Sequence, residues 1–319
     1  MAATRNCRST ELLPAAVADC FDRHIGNRDS LVVGLSGGVD SVVLLHVIRS
    51  LQVQASAIHV HHGISSDADH WATFCHDLCS DWDIPLLIER IEVERGSADG
   101  LEAAARRARH DVYARQATNW IVLAHHQSDR AETLLFNLLR GAGVRGAGAM
   151  RERNGRLLRP LLPIGRSDIL AYATLHDLTW VEDGSNADIR HSRNFLRHRI
   201  LPTVKERFPA VESRLAKTAA RFAEAADLLD ELALVDLAAN GAEFPLPVSC
   251  LTELSEPRAR NVLRFLLAKQ GVGIPSEERL IDALHQCLTA KPDRHPSVAF
   301  GEWRLRRSGR LLVLDRPQT

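Results

Sequence analysis

The sequence predicts an α/β fold, in which a doubly wound parallel sheet is followed by a helical linker and a small α+β domain. Short apolar runs alternate with helical patterns over the first 140 residues, which is typical of parallel strands joined by crossover helices. The chain has 319 residues, more than one typical core needs, so two domains are expected. After about residue 240 the pattern changes to two helices and a hairpin signal at Ser308-Gly309.

The composition is that of an ordinary globular protein. Hydrophobic residues make up 45%, charged residues 25%, and the formal net charge is zero, which excludes a uniformly basic nucleic-acid binder but not local basic patches. The six cysteines form no Cys-x-x-Cys pair, which argues against a zinc ribbon or a dithiol redox motif and suits a reducing cytosol. The sequence has no signal-peptide pattern and no apolar run of membrane-spanning length, so we expect a cytoplasmic protein without membrane contact.

The predicted strands of the first domain bring three polar loops to one edge of the sheet. Strands are expected at 31–35, 55–60, 86–91 and 120–124, and helices at 9–24, 42–48, 69–82, 101–117 and 129–140. Ligands of such sheets bind beyond the carboxyl ends of the strands. The loop that starts at Ser36 and the segments His59–Gly63 and His125–Asp129 all lie at strand ends. We therefore expect them to converge on one site.

The second half of the chain is arginine-rich before it becomes mainly helical. Seven arginines occur from residue 140 to residue 166, and the segment 190–207 is dense in arginine and histidine. Helices are expected at 166–176, 211–237, 257–270 and 275–288, and strands at 298–307 and 310–314. The predicted domains are a catalytic domain at 1–210, a helical linker at 211–239 and a C-terminal domain at 240–319.

The loop Ser36-Gly37-Gly38-Val39-Asp40-Ser41 lies between an apolar strand and a helix. Its glycines lack a Cβ, so their N–H groups can turn toward an anion, and the adjacent helix N-terminus favours a phosphate. The adjacent glycines exclude the dinucleotide fingerprint, and the lack of a following Gly-Lys-Ser/Thr excludes the Walker loop. The six residues resemble the pyrophosphate loop of ATP pyrophosphatases, which adenylate a substrate. An ordinary strand-to-helix turn is the alternative.

Histidines and acids follow the fourth predicted strand. His125 and His126 stand at the strand end, and Asp129 and Glu132 share a helix face near its N-terminus. Two carboxylates there could hold Mg²⁺ through water or receive an amine. The alternative is a pair of acids that stabilise the helix dipole, although this leaves the histidines unexplained. The spacing is not that of a standard zinc site.

Basic residues form two groups with different predicted roles. Arg106 and Arg109 are one helical turn apart and could reach the strand-end cleft, where arginine suits phosphate contacts. His59 lies beside the loop and is expected to contact nucleotide or substrate rather than a metal ion. The segment 190–207 is predicted to contact RNA phosphates, because a solvated helical face, the alternative, more often contains acids as well.

An ordered set of motifs between residues 31 and 202 resembles one family, the tRNA(Ile)-lysidine synthases. Beyond the loop, the set comprises His59–Gly63, Glu102–Arg106 with Arg109, Ala124–His126 with Asp129 and Glu132-Thr133, Leu138–Gly143, Arg159–Leu162, Trp180–Asn186, Arg193–Arg197 and Ile200–Pro202. The resemblance implies an adenine nucleotide alpha-hydrolase-like fold and an ATP- and Mg²⁺-dependent ligase. Such a ligase adenylates the C2 oxygen of the wobble cytidine in an isoleucine tRNA with a CAU anticodon. Free L-lysine then displaces AMP and forms lysidine.

The resemblance also assigns roles to individual residues. The predicted nucleotide-binding residues are Ser36, Gly37, Gly38, Val39, Asp40, Ser41 and His59, with Asp40 also near Mg²⁺. The predicted catalytic residues are Asp40, Arg106, His125, Asp129 and Glu132, of which the last two would receive the lysine amine. The predicted tRNA-binding residues are Arg193 and Arg197. Many members of the family act as dimers, so a homodimer is expected on the same ground.

Two positions around Asp129 and the run Asp183-Gly184-Ser185, where a change of turn is expected, differ from the family's common pattern. Ser128 stands where the family usually has an acid, and Arg130 stands where it often has glutamine. A metal or lysine contact made by the acid at position 128 is therefore not expected in this chain. The chain resembles the shorter form of the family or a truncation. The main alternative function is another pyrophosphate-loop enzyme, such as a tRNA thiolation enzyme, which would use paired cysteines. An amidotransferase-type ligase would need a glutamine-hydrolysing domain, and an RNA-binding module would not need an intact loop.

Overall fold

The computed structural model describes residues 2–93, 101–184, 188–238, 241–273, 275–291 and 294–316. Ser185 and Asn186 of the Trp180–Asn186 motif lie outside the described residues, as do the side chains of 2–10 and 101–103. The chain divides into two compact units, Met1–Ala223 and Glu224–Thr319. Among the described residues, no helix combines the length and the apolar character that crossing a membrane requires.

Six strands form the sheet of the first unit. They are β1 (Leu31–Gly34), β2 (Ser56–His61), β3 (Leu86–Arg90), β4 (Trp120–Val122), β5 (Arg153–Asn154) and β6 (Leu157–Leu158). Their order is β3-β2-β1-β4-β6-β5, and all neighbours are parallel except the β5–β6 hairpin at the edge. The chain winds outward on both sides of β1 and β4, so the predicted doubly wound sheet is confirmed. The hairpin was not predicted, because two-residue strands are too short to show an alternating pattern.

The helices of the first unit include every helix predicted there. They are α1 (Ala2–His24), α2 (Val39–Ser50), α3 (Ala68–Asp81), α4 (Leu101–Arg115), α5 (Gln127–Leu139), α6 (Val144–Ala147), α7 (Arg166–Leu175), α8 (Ser192–Phe195) and α9 (Leu201–Arg207), followed by α10 (Val211–Leu237), which continues into the second unit. α2 packs against β1 and buries Val42, Val43 and Leu44 completely. α7 packs against both α1 and α2.

The start of α5 shows how local chemistry moved a predicted boundary. The helix begins at Gln127, two residues before the predicted start, because His126 caps it. The His126 ring accepts a hydrogen bond from the Ser128 N–H at 3.2 Å, and the Asp129 carboxylate accepts one from the His126 N–H at 2.9 Å. This reciprocal capping box fixes both side chains at the end of the sheet where ligands are expected.

A π-helical turn interrupts the arginine-rich segment. α8 passes through a π turn at Leu196–Ile200 into α9. Pro202, which follows the turn, has no N–H to donate to the preceding helical turn, so regular α-helical bonding is broken there. Leu196 is buried, Arg197 is half-buried and Arg199 is exposed.

The second unit has its own core and an antiparallel sheet. Its further elements are β7 (Leu246–Pro247), α11 (Ser249–Thr252), α12 (Glu256–Lys269), α13 (Glu277–Thr289), β8 (Ser297–Phe300), β9 (Trp303–Ser308) and β10 (Leu311–Asp315). The strand order is β7-β10-β9-β8, and the β9–β10 hairpin at Ser308-Gly309 confirms the predicted α+β domain. The predicted strand 298–307 is wrong in one respect: Gly301, at φ +61°, turns the chain and divides it into β8 and β9.

Candidate active site

A cavity of about 350 Å³ lies at the carboxyl edge of the parallel sheet. It is lined by the loop after β1, by the end of β2, by the residues after β4 and by the segment around Val181. The lining residues that the sequence predicted are Ser36, Gly38, Asp40, Ser41, His59, His125 and Asp129. The expected convergence of three strand-end loops is therefore present in the structure.

The loop after β1 is held open by its own hydrogen bonds. Ser41 Oγ accepts from the Ser36 N–H at 3.1 Å and donates to the Gly38 carbonyl at 2.9 Å. Gly37 has φ +86°, and a Cβ built there would lie 2.8 Å from Val181 Cγ2. Only glycine fits this position, because both the backbone conformation and the packing exclude a side chain. The loop leads into α2 at Val39, whose N-terminus favours an anion.

Asp40, His126 and Asp129 form the acidic side of the cavity. His126 is 1% exposed, and its Nε2 lies 3.7 Å from Asp40 Oδ2 and 3.5 Å from Asp129 Oδ2. Since Nδ1 accepts from the Ser128 N–H, the neutral ring carries its hydrogen on Nε2, between the two carboxylates. Burial raises the pKa of Asp40 despite the nearby His126 and Arg166. Burial also acts to raise the pKa of Asp129, but the two histidines, the His126 N–H and Arg197 outweigh it and lower that pKa.

Arg197 binds both acids of α5. Its Nε and Nη2 donate to Glu132 at 2.7 and 2.8 Å, and Nη2 also donates to Asp129 Oδ1 at 3.1 Å. Burial raises the pKa of Glu132, whose side chain is 4% exposed, and Arg197 only partly offsets this. The bidentate contact favours the charged form of both groups. The structure thus brings Asp129 and Glu132 together as predicted, and it places Arg197 beside them rather than on an exposed helical face.

Arg193, the other predicted tRNA-binding residue, lies near α5. Its Nη1 donates to Thr133 Oγ1 at 3.5 Å, and its guanidinium stands 5.4 Å from the centre of the Phe136 ring. Arg140 stands over the same ring at 5.2 Å. Neither arginine lines the cavity. The two predicted tRNA-binding arginines therefore occupy different environments, although they are only one helical turn apart.

His125 and the arginines form the basic side of the site. His125 lines the cavity, its Nδ1 is buried without a hydrogen-bond partner, and burial holds its pKa well below the ordinary range. Arg106, exposed on α4, and the buried Arg159 both lower that pKa further. Arg109 lines the cavity, and its Nη2 lies 3.3 Å from His62 Nε2. The imidazole of His125 is therefore neutral, because burial and the guanidinium groups outweigh Asp129, which acts to raise its pKa.

His59 is held as a neutral ring at the end of β2. It is 4% exposed, and its Nδ1–H donates to the Leu35 carbonyl at 2.9 Å. Burial lowers the pKa of the ring even though this hydrogen bond raises it. The remaining nitrogen, Nε2, is then a hydrogen-bond acceptor. His61, by contrast, contacts Asp69 at 3.2 Å and Arg90 at 3.3 Å, which gives it a structural role.

Two functional candidates were missed by sequence reasoning. His126 was noted but given no role, although the serine and aspartate that follow it are the pattern of a capped helix start. Glu212, the second residue of α10, accepts a hydrogen bond from Ser128 Oγ at 2.6 Å and pairs with Lys205 at 3.2 Å. A carboxylate thus stands next to Ser128 even though position 128 has none itself. No sequence signal could have linked positions 84 residues apart.

Comparisons with known proteins agree with this geometry. Residues 14–204 match the PP-loop domain family and residues 246–312 match the TilS substrate binding domain. A tRNA(Ile)-lysidine synthase of Nitrosomonas europaea is 43% identical over 302 residues, covering 90% of this chain and 66% of that protein. One of Alkalilimnicola ehrlichii is 42% identical over 310 residues, covering 93% of this chain and 69% of that protein. The chain belongs to the tRNA(Ile)-lysidine synthase family.

A more distant likeness concerns the fold alone. The U34-tRNA thiolase NcsA from Methanococcus maripaludis superposes with a TM-score of 0.57 at 16% identity, covering 69% of this chain and 80% of that one. The lysidine synthase family match is far more specific, because it includes both units of the chain. The chain spans about two thirds of the length of the curated relatives that it matches.

Proposed function

We propose that this chain ligates free L-lysine to C2 of the wobble cytidine in an isoleucine tRNA with a CAU anticodon, using ATP. One observation supports this most strongly. A loop suited to phosphates and Asp129, a carboxylate suited to an amine, line one cavity of a chain from the lysidine synthase family. ATP use follows from the PP-loop domain, which the chain contains.

The first step is adenylation of the base. The C2 oxygen of the cytidine attacks the α-phosphorus of ATP, a new P–O bond forms, and the bond to pyrophosphate breaks. N–H groups of the loop and the N-terminus of α2 bind the negative charge that moves onto the leaving pyrophosphate. Arg109 lines the cavity and Arg106 is close enough to lower the pKa of His125, so we assign both to supplying positive charge.

The second step is transfer of lysine. The ε-amine attacks C2, the bond from C2 to the AMP oxygen breaks, and the amine loses a proton. Asp129, whose pKa is lowered, holds the ε-ammonium and accepts the proton that it must lose before it can attack. The second proton, lost by the amine after it is attached to C2, passes to solvent. Glu132 and Arg197 fix the position of the Asp129 carboxylate.

Mg²⁺ fits the acidic side of the cavity. Asp40 Oδ1 is buried without a hydrogen-bond partner, and Asp129 is close enough to raise the pKa of Asp40. Oxygen ligands of this kind suit Mg²⁺, which Asp40 would hold. When bound, the ion supplies positive charge to the ATP phosphates.

The remaining assignments concern RNA and assembly. Arg193, half-buried outside the lining of the cavity, is proposed to contact tRNA phosphates, and residues 240–319 are proposed to help select the tRNA. A homodimer and a cytoplasmic location stay predictions from the sequence.

A tRNA thiolation enzyme is the second candidate, and the cysteines argue against it. Cys75 and Cys79 are buried on α3, and burial raises the pKa of Cys75 to about 12 and that of Cys79 to about 11. Thiols in this state do not supply the thiolates that a cluster or a persulfide requires. Among the described residues, the only group with metal-ligand spacing is Cys20, His24 and Glu152, which contains a single cysteine.

One incubation tests the proposal. The protein is mixed with ATP, Mg²⁺, labelled lysine and transcripts of isoleucine tRNA that carry CAU or another anticodon. We expect label only in the CAU transcript, with one AMP formed for each lysine transferred. A methionine tRNA transcript with the same anticodon is the matched control for recognition outside the anticodon. Absence of lysine transfer together with sulfur incorporation from a sulfur donor would favour the thiolation enzyme instead.

A further inference from the structure

A buried cation at the carboxyl edge of the sheet, which is not itself a lining residue of the cavity, has no counter-ion within the described part of the chain. Arg159 directly follows β6, which neighbours β4, so it stands at the carboxyl edge of the sheet. It is 5% exposed. Its Nη1 donates to the Arg151 carbonyl at 2.9 Å, whereas its Nε is buried without a hydrogen-bond partner. A guanidinium in this state loses its hydration and gains little in return.

The neighbours of Arg159 increase this cost. Burial, together with the Arg106 guanidinium, lowers the pKa of Arg159 to about 10. Both arginines also act on His125, whose Nδ1 is likewise buried without a partner. Two guanidinium groups and a neutral imidazole therefore share one region. Arginine is the residue that best binds a planar oxyanion with two donors, so the missing partner is most simply an anion from outside the chain.

The site also contains groups of both charges near His125. Asp129 acts to raise the pKa of His125, whereas Arg159 and Arg106 act to lower it. A ligand with an amine at one end and an oxyanion at the other matches this arrangement. Among the proposed substrates, lysine carries both groups, and ATP and tRNA carry phosphates.

We propose that Arg159 forms an oxyanion subsite of the active site, which binds a carboxylate or phosphate oxygen of a substrate. The identity of the substrate rests on the proposed function, whereas the subsite itself rests on the burial of Arg159 and its unpartnered Nε. Lysine would supply its α-carboxylate, and ATP or tRNA would supply a phosphate.

Ligand-induced stabilisation tests the subsite without any catalytic reaction. The probes are L-lysine, 1,5-diaminopentane, which is lysine without its carboxylate, and inorganic pyrophosphate, all at constant ionic strength. The melting temperatures of wild type, Arg159→Met and Arg153→Gln are compared, the last being an exposed arginine of β5. We expect Arg159→Met to lose the shift caused by lysine or by pyrophosphate, and Arg153→Gln to keep both. Loss with lysine alone identifies a carboxylate, and loss with pyrophosphate alone identifies a phosphate.

Steady-state kinetics and the ligand-free protein complete the test. Arg159→Met should raise KM for the substrate that supplies the oxyanion about 10- to 100-fold, and Arg159→Lys should raise it less. Without ligand, Arg159→Met should melt no lower than wild type, because the substitution removes an unpaired buried charge. A lower melting temperature with all probe shifts and KM values unchanged would show a purely structural arginine and overturn the proposal. So would loss of the diaminopentane shift, since that diamine has no oxyanion. If the wild type transfers no lysine, the proposed function fails while the probe shifts still decide on Arg159.

Discussion

Two clusters that contain histidines in the first unit have opposite chemistry. The active-site cluster consists of Asp40, His125, His126 and Asp129, and the ring cluster consists of His46, Trp82, Tyr172 and His176. In the ring cluster His46 Nδ1 is 3.0 Å from Tyr172 Oη, and the Tyr172 and His176 rings are 4.2 Å apart. In the active-site cluster, by contrast, Asp40 Oδ1 and His125 Nδ1 are buried without a partner.

The difference separates packing from function. Burial lowers the pKa of His46 and of His125 alike, so a lowered pKa does not distinguish the two clusters. What distinguishes them is satisfaction of hydrogen bonds, since each unsatisfied buried polar atom costs about 1–3 kcal/mol. A fold that retains several such atoms at one strand-end edge carries this cost where a ligand relieves it. Changes in the active-site cluster should therefore affect chemistry, and changes in the ring cluster should affect stability.

The largest effect is expected at Asp40. Asp40→Asn keeps the shape of the side chain but removes the charge that would hold Mg²⁺ at the phosphates. We expect AMP formation to fall at least about 100-fold. Stability should stay the same or rise, because burial already disfavours the Asp40 carboxylate. Single-turnover AMP formation and urea unfolding measure the two quantities. Normal adenylation by Asp40→Asn would remove the active-site cluster from the chemistry.

A second large effect is expected at Glu132, mainly in the second step. Glu132→Gln removes the bidentate partner of Arg197 and frees the Asp129 carboxylate to move. Lysine transfer should fall about 100-fold while adenylation falls much less, so adenylated tRNA should accumulate. The free energy of unfolding should drop by about 2–3 kcal/mol, because Arg197 keeps only Asp129. Glu206→Gln, an exposed acid of α9, is the matched control. Equal loss of both steps would contradict the assigned division.

Arg193 and Arg197 allow a proposed RNA contact to be compared with an internal ion pair, although the two residues are only one helical turn apart. Arg193→Gln should weaken tRNA binding about 10-fold and reduce the slope of log affinity against log salt by about one, as expected for a lost phosphate contact. Arg197→Gln should leave that slope unchanged, because two carboxylates already neutralise its guanidinium. Filter binding over a range of salt concentrations measures both slopes. Equal changes in the two slopes would return Arg197 to the RNA surface that the sequence predicted.

The sequence predicted the parts of this site that local patterns determine. The Ser36–Ser41 loop must follow a buried strand, and the spacing of Asp129 and Glu132 must place them on one helix face, so both could be read from the chain. The contacts that turn these residues into a site are long-range. Arg197 reaches Glu132 from 65 residues away, and Glu212 reaches Ser128 from 84 residues away. The π turn that accompanies the inward position of Arg197 has no periodic signal.

The second unit shows the same limit of local sequence patterns in the prediction of its strands. Its hairpin could be predicted because Ser308-Gly309 supplies the turn, whereas Gly301-Glu302 lies in a run that also suits one continuous strand. In the sequence, Arg159 likewise cannot be distinguished from the other arginines of its basic segment. Only its burial, at 5% exposure, separates it from exposed neighbours such as Arg153.

The smallest effect is expected in the ring cluster, where it should concern stability and pH but not catalysis. Burial lowers the pKa of His46 from 6.5 to about 4. Between pH 6.5 and pH 4 the unfolded chain binds a proton on His46 that the native ring does not bind. The free energy of unfolding therefore falls as the pH is lowered through this range, and below pH 4 the loss due to His46 grows no further. The half-exposed position of the ring reduces the loss to about 1–2 kcal/mol. His46→Gln cannot titrate, so its unfolding free energy should fall less over this range, while its AMP formation at pH 7 should equal that of wild type. Urea unfolding at pH 7, 5.5 and 4 measures the difference. His125 contributes equally to wild type and to His46→Gln, so it does not affect the difference between them. If the unfolding free energies of the two proteins changed in parallel with pH, the ring cluster would not disfavour protonation of His46.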